Sequence, residues 1–302
     1  MQSNSTNNTI DVQLKQKVVE AIINSKQNFS GSDSKHAKSL NINSAVYSQI
    51  KAGKLDGNLL SKGEWIRLAR ELEVPIGNEI VWKTANTSVY QTISAQMKFC
   101  KENSQCAVFC DDADLGKTHT AKDFAKRNLN TVYQDCSQTK TKQLLVRTIA
   151  ESFGLDSVGK YIDVKNNLVY YLKTLEQPMI ILDEFGDLNY DAFLEIKALW
   201  NATEGACAWY ALGADGLKVK IERGRNCKKV GYTEFFSRFG KKYQHVVPMG
   251  KDDKEAFYLQ LVATVLKANL PAGVDVQKVT KSCNNSLRRA KMEVIKIAQR
   301  NG

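Results

Sequence analysis

Gly116-Lys117-Thr118 and Asp183-Glu184 are the residues of this chain whose types and order could do chemistry. In a phosphate-binding loop, backbone N–H groups and a helix N-terminus cradle the phosphates of a nucleotide. A lysine reaches the β- and γ-phosphates, and a Ser or Thr hydroxyl ligates Mg²⁺. Lys117 and Thr118 suit those two roles. Asp111, Asp112, Ala113, Asp114, Leu115 and Gly116 form the loop before them, and His119 follows. Asp183 would hold Mg²⁺ through water and Glu184 would polarise the attacking water. The expected activity is weak hydrolysis of ATP, with ATP and Mg²⁺ as cofactors. The loop departs from G-x-x-x-x-G-K-[ST] at its first glycine, which is Asp111, and a second position commonly glycine holds Asp114. Both acids add negative charge beside phosphate and stand where glycine's access to φ > 0 is useful. Asp tolerates the left-handed region better than most residues.

Such groups need elements that present them together. The apolar run Cys106-Ala107-Val108-Phe109 predicts a strand before the loop, and Thr118 to Arg127 predicts a helix after it. Pro178 to Leu182, ending in Asp183-Glu184, reads as a central parallel strand buried on both faces. Its C-terminal end would deliver both carboxylates to the crevice where ligands bind in such sheets. Thr131 to Asp135, Cys207 to Leu212 and Tyr243 to Val247 predict further strands. Helical periodicity marks Ser88 to Lys101, the segments around Leu145 and Leu168, Asp191 to Ala202, Lys251 to Leu270, Val274 to Ser282 and Ser286 to Arg300. The expected fold is α/β, a parallel sheet flanked by helices. Trp82 or Tyr90 could stack on adenine or simply pack in the core.

Residues 12 to 26 carry apolar side chains at helical spacing. Ser32 or Asp33 could cap a short helix bearing His36, Ala37 and Leu40, and Ser44 a second bearing Tyr47 and Ile50. A small Ala37 lets the two cross closely, with Leu40, Ile42, Tyr47 and Ile50 as shared core. A further amphipathic helix contains Trp65, Ile66, Leu68, Ala69 and Leu72. This spacing resembles repressor-type helix-turn-helix domains, which would set Ser44, Ser48 and Gln49 toward DNA. A protein-interaction module of several helices stays open as the alternative. His36 is expected to pack or cap within the unit.

The 302 residues carry a net charge of +11. Residues 216–302 hold 19 Lys and Arg against 7 Asp and Glu, so the excess lies in the last third and points toward a polyanion. No apolar run approaches the ~18 residues of a membrane span, so no membrane partner is expected. Met1 to Ile10 is polar and rich in Asn and Ser, and reads as a disordered lead-in without a signal peptide. Seven scattered cysteines with no C-x-x-C pair fit reduced structural thiols in a cytoplasm.

Taken together, residues ~80 to 300 resemble the AAA+ ATPases. The order of a helix-turn-helix, an ATPase core and a short basic helical end is similar to the Mu B-type transposition regulators. The expected boundaries are 11–76 for the helix-turn-helix, 77–249 for the core and 250–302 for a helical lid. The resemblance implies an ATP-dependent homo-oligomer or filament on double-stranded DNA that recruits or stimulates a transposase in a bacterial, nucleoid-associated setting. It implies Asp215 as a γ-phosphate sensor and Arg288, in Asn285-Ser286-Leu287-Arg288, as a lid arginine touching phosphate. Arg238 would be an arginine finger for a neighbouring subunit or else a local ion pair. The DNA track would use Lys140, Lys142, Lys218, Lys220, Arg223, Arg225, Lys228 and Lys229. Two alternatives stand: a DNA-binding adaptor with a degenerate loop and little hydrolysis, and a partner-switched signalling ATPase.

Overall fold

A computed structural model describes residues 11–55, 59–77 and 79–301. The expected disordered lead-in, residues 1–10, lies outside them. The chain divides into two compact units, Met1–Val81 with Glu151–Leu155, and Trp82–Ala150 with Asp156–Gly302. No helix among the described residues is long and apolar enough to cross a membrane.

Among the described residues the first unit contains four helices, α1 (Val12–Gln27), α2 (Asp33–Ser39), α3 (Ser44–Lys51) and α4 (Lys62–Glu71). Each begins where a short polar side chain accepts a first-turn N–H: Asp11 for α1, Ser32 for α2, Asn43 for α3 and Ser61 for α4. The cap of α3 is therefore Asn43, one residue before the expected Ser44, because an Asn carbonyl reaches Ala45 N at 2.9 Å. Ser61 and Glu64 form a reciprocal capping box. Val18, Ile22, Ala37, Tyr47, Ile50, Trp65 and Leu68 share one core. His36 is buried among them, with Nδ1 2.7 Å from the Tyr47 hydroxyl and Nε2 3.1 Å from Ser25 Oγ.

The second unit opens with α5 (Ser88–Glu102) and contains a five-stranded sheet. The strands are β1 (Cys106–Cys110), β2 (Thr131–Asp135), β3 (Met179–Asp183), β4 (Ala208–Gly213) and β5 (Tyr243–Gln244), in the order β2-β3-β4-β1-β5 and all parallel. Their crossovers are α6 (Lys117–Arg127), α7 (Lys142–Ser152), α8 (Tyr161–Thr174), α9 (Tyr190–Ala202), α10 (Asp215–Asn226) and α11 (Tyr232–Arg238). Alternate strand side chains, Phe109, Met179, Ile181, Tyr210 and Leu212, pack with Val89, Ile93 and Met97 of α5 and Phe124 of α6. The intervening Val108, Ile180, Leu182, Trp209 and Ala211 are buried as well, so both faces are covered, as a parallel sheet requires. β5 is shorter than the expected Tyr243–Val247, because the N–H groups of Val246 and Val247 donate to the Asp111 carboxylate instead of a strand neighbour. Helices α12 (Lys251–Asn269), α13 (Val276–Ser282) and α14 (Leu287–Asn301) pack on one another and complete the unit. All seven cysteines are free thiols; Cys227 alone is exposed, Cys106 is half-buried and the other five are buried.

Candidate active site

Register brings the chemistry together. Cys110 pairs with Gly213 and Leu182 with Ala211, so β1, β3 and β4 end along one edge. The phosphate loop leaves β1 there, and Asp183 and Glu184 leave β3 two strands away. Gly116 sits at φ +85°, a left-handed turn that glycine reaches without a Cβ clash, and opens α6. No side chain caps that first turn, so its N–H groups face the loop.

Thr118 Oγ1 donates to Asp183 Oδ2 at 2.6 Å, which joins the two motifs at one point. Tyr133 of β2 donates to the same oxygen at 3.0 Å, and Glu184 N donates to Asp183 Oδ1 at 3.0 Å. A hydroxyl beside a carboxylate at a helix N-terminus is a hard-oxygen donor set that fits Mg²⁺ sharing its shell with phosphate and water. Glu184 stands at φ +48°, a left-handed position immediately after β3. Burial, then the neighbouring Asp183 and Asp187 charges, raises its pKa above the usual 4.5. Lys117 is buried, with Nζ donating to the carbonyls of Asp111 at 2.8 Å and Asp112 at 2.5 Å. Burial lowers its pKa, while Asp111, Glu184 and Asp183 pull the other way.

The acids at the glycine positions both have partners within the fold. Asp111 is buried, and its Oδ2 accepts from Val246 N at 2.5 Å and Val247 N at 3.0 Å while Oδ1 accepts from Asp112 N at 2.9 Å. It lies outside the positive-φ residues, so this loop needs no glycine freedom there. Asp114 does adopt φ +62°, the left-handed region that Asp tolerates. Its Oδ2 accepts from Ser286 Oγ at 2.7 Å, and Arg288 Nε lies 3.8 Å from Oδ1. Asp112 Oδ2 accepts from Tyr258 Oη at 2.7 Å and pairs with Lys254 Nζ at 2.5 Å. Leu115 is buried in the core and Ala113 is exposed.

Residues 99–218 match an AAA domain. That span runs from the end of α5 to the first turn of α10 and contains the loop, Asp183 and Glu184. Among solved structures, the fold is similar to the Aeropyrum pernix Orc1 protein in complex with DNA, with TM-score 0.54 and 16% identity over 75% of this chain and 64% of that one. It is similar to Cdc6p from Pyrobaculum aerophilum, with TM-score 0.50 and 15% identity over 72% of this chain and 62% of that one. This chain spans less than two thirds of either. At such identities the likeness is one of fold, the P-loop AAA+ fold of parallel sheet and flanking helices. No curated protein matches the sequence.

The remaining candidates are spread more widely. Asp215 is exposed at the first position of α10, and His119 Nε2 lies 3.0 Å from Thr84 Oγ1. Tyr90 donates to Asp123 at 2.7 Å and so packs by hydrogen bonding to α6. The Arg238 guanidinium packs 4.8 Å from the Trp200 ring, the local alternative to a finger, with a ring in place of an acid. In the basic stretch, Lys220 donates to the carbonyls of Gly186 and Leu188 at 2.6 and 2.7 Å and so clamps the turn after Glu184. Arg225 pairs with Glu222 and stacks 4.0 Å over Phe236, and Lys229 lies 3.9 Å from the Tyr190 ring. Lys218, Arg223 and Lys228 are exposed. Lys140 lies 3.6 Å from Asp187, and Lys142, the first residue of α7, 5.9 Å from the Tyr161 ring. On α3, Ser44 and Ser48 are exposed and Gln49 is half-buried.

Sequence reasoning missed Tyr133, Lys254 and Tyr258, and named Ser286 only as part of the lid segment without its partner Asp114. Tyr133 had a signal in its place two residues before Asp135, which pairs with Asp183 across the β2–β3 register. Lys254 and Tyr258 share a helix face at i, i+4 spacing, but nothing in that spacing names Asp112 as their partner.

Proposed function

We propose that this chain is an ATP-dependent, DNA-binding regulator. The observation that carries the reading is the 2.6 Å hydrogen bond from Thr118 to Asp183, with Lys117 and Glu184 flanking it. Lys117 would bind the β- and γ-phosphates once drawn off the loop carbonyls, and Thr118 and Asp183 would hold Mg²⁺. Bound Mg²⁺ supplies neutralisation of charge on the transferring phosphoryl group. Glu184, its carboxylate made more basic by burial and acidic neighbours, orients water and accepts its proton. Asp215 and Arg288 would complete the phosphate contacts, and Arg238 would act only after leaving Trp200.

The finer reading is a transposition regulator that oligomerises on largely nonspecific double-stranded DNA and recruits a transposase. It is supported by the order of a helix-turn-helix-like unit, a nucleotide domain and a basic end, and by the DNA-bound Orc1 structure of similar fold. Titration with a fluorescent ATP analogue and Mg²⁺, followed by electron microscopy on linear DNA with and without ATP, tests both levels. Saturable binding lost in Lys117→Ala, with ATP-dependent protein assemblies on DNA, is the expected result. The absence of saturable binding would sink the ATPase reading and leave a DNA-binding adaptor. Binding without assemblies on DNA would favour a signalling ATPase.

A further inference from the structure

The phosphate loop carries three aspartates, and the second and third are held by cations of the C-terminal helices. Lys254 and Tyr258, one turn apart on α12, both reach Asp112 Oδ2. At the start of α14, Ser286 Oγ donates to Asp114 Oδ2, the Arg288 N–H approaches the same oxygen at 3.4 Å, and the Arg288 guanidinium faces Oδ1. Leu287 between them packs against the sheet core and approaches the position a Cβ would take on Gly116, at 3.6 Å. Two helices far from the loop in sequence are thus fastened to two positions of it, with one residue between.

The same loop must receive a polyanion. Lys117 Nζ bonds the carbonyl of Asp112, whose side chain holds Lys254, so the two ammonium groups flank a single residue. The Arg288 side chain is 87% exposed and the Lys254 side chain 44%, so both can be drawn from their acids without opening the core. A nucleotide phosphate carries more charge than one carboxylate and offers several oxygens, so it competes for either cation.

Resting on the nucleotide site proposed above, we infer that Asp112 and Asp114 fasten the α12–α14 lid to the phosphate loop, and that nucleotide phosphates displace them from Lys254 and Arg288. Lys254 is then a phosphate-binding residue of the site and Tyr258 a positioning residue that acts through Asp112, and the two acids at once lower its affinity and make lid position depend on occupancy. An acid at Asp114 thereby replaces a glycine whose freedom the backbone still uses.

The test combines nucleotide titration with amide hydrogen exchange on the full chain. Without nucleotide, Asp112→Asn should raise exchange in residues 251–258 and Asp114→Asn in residues 286–291. Each variant should also bind a fluorescent ATP analogue about threefold more tightly, the scale of one exposed ion pair. In Asp112→Asn, adding Lys254→Met should abolish that gain, because the released ammonium is what the phosphate takes. ATP added to the unaltered chain should change exchange in the same two segments, because their anchor passes from the acids to the phosphates. Unchanged exchange in both aspartate variants, or affinity equal to or weaker than that of the unaltered chain, overturns the inference. Binding that responds to Lys117→Ala but ignores Asp112 and Asp114 overturns it while the nucleotide reading stands. Binding indifferent to Lys117 overturns the nucleotide reading itself, whereas lid exchange still decides whether the acids fasten the helices.

Discussion

Asp111 stands where a phosphate loop expects glycine, yet its carboxylate turns inward and accepts two backbone N–H groups from Val246 and Val247. Hydrogen bonds to a charged group contribute ~1.5–3 kcal/mol each, and an orphaned buried N–H carries its own penalty. Restoring the consensus with Asp111→Gly should therefore destabilise the domain by about 3–6 kcal/mol, read as a lower urea midpoint; an unchanged midpoint would show that the carboxylate is dispensable. Glu184 answers to a different chemistry. Its replacement by Gln should leave nucleotide affinity within about twofold while kcat falls ~10²- to 10⁴-fold, the usual contribution of a positioned base. Because its pKa is raised, the catalytic carboxylate is lost as pH falls through a value above 4.5, so the acid limb of the kcat profile should lie above that of an ordinary glutamate. A limb at or below 4.5, or a Gln variant with full turnover, would remove Glu184 from the role of base.

At the scale of elements, buried groups decide which helices hold. His36 of α2 sits between Tyr47 of α3 and Ser25 of α1, and burial lowers its pKa from 6.5 to about 4. The unfolded chain therefore binds this proton more readily than the folded one. Stability linked to His36 is complete above pH 6.5 and is lost as pH falls from there through about 4. A proton-resonance titration of His36 with a midpoint near 4 is the expected observation, and a midpoint at 6.5 would show that the imidazole is not sequestered. The elements themselves were largely legible in sequence. Strands β1, β3 and β4 announce themselves as apolar runs ending at one level, and Ala37, Leu40, Ile42, Tyr47 and Ile50 mark the shared core of α2 and α3. Thr118 and Asp183 were legible as a pair because each is fixed by its local motif. What stayed hidden depends on tertiary pairing. A strand pattern through Val247 gives no hint that a side chain at the end of the neighbouring strand takes its last two N–H groups. A run of lysines between 218 and 229 cannot show that Lys220 clamps a turn while Lys218 faces outward.

At the scale of the whole molecule, the +11 charge has to be separated into cations that hold the fold and cations that face solvent. Lys101 belongs to the first kind: it is buried, donates to the carbonyls of Leu129 and Gln177, and has its pKa lowered to about 8 by burial. Lys220 is similar in kind, with two carbonyls as partners and a pKa lowered by burial. Lys218 and Arg223 are of the second kind, exposed a turn and a half apart on α10 along a groove they line with Val219, Asn226 and the acids Asp215 and Glu222. If DNA is the polyanion, phosphate contacts should come from the second kind alone, each releasing about one counterion. Binding of double-stranded DNA measured across a salt series should then show a slope reduced by about 1 in Lys218→Ala and in Arg223→Ala, with affinity lowered uniformly across sequences. Lys220→Ala should leave that slope unchanged and instead lower stability, because two carbonyls lose their donor. Equal slope changes in all three variants would mean that the division read from their hydrogen bonds does not govern binding. No slope change in any of them would move the DNA contacts away from α10 altogether.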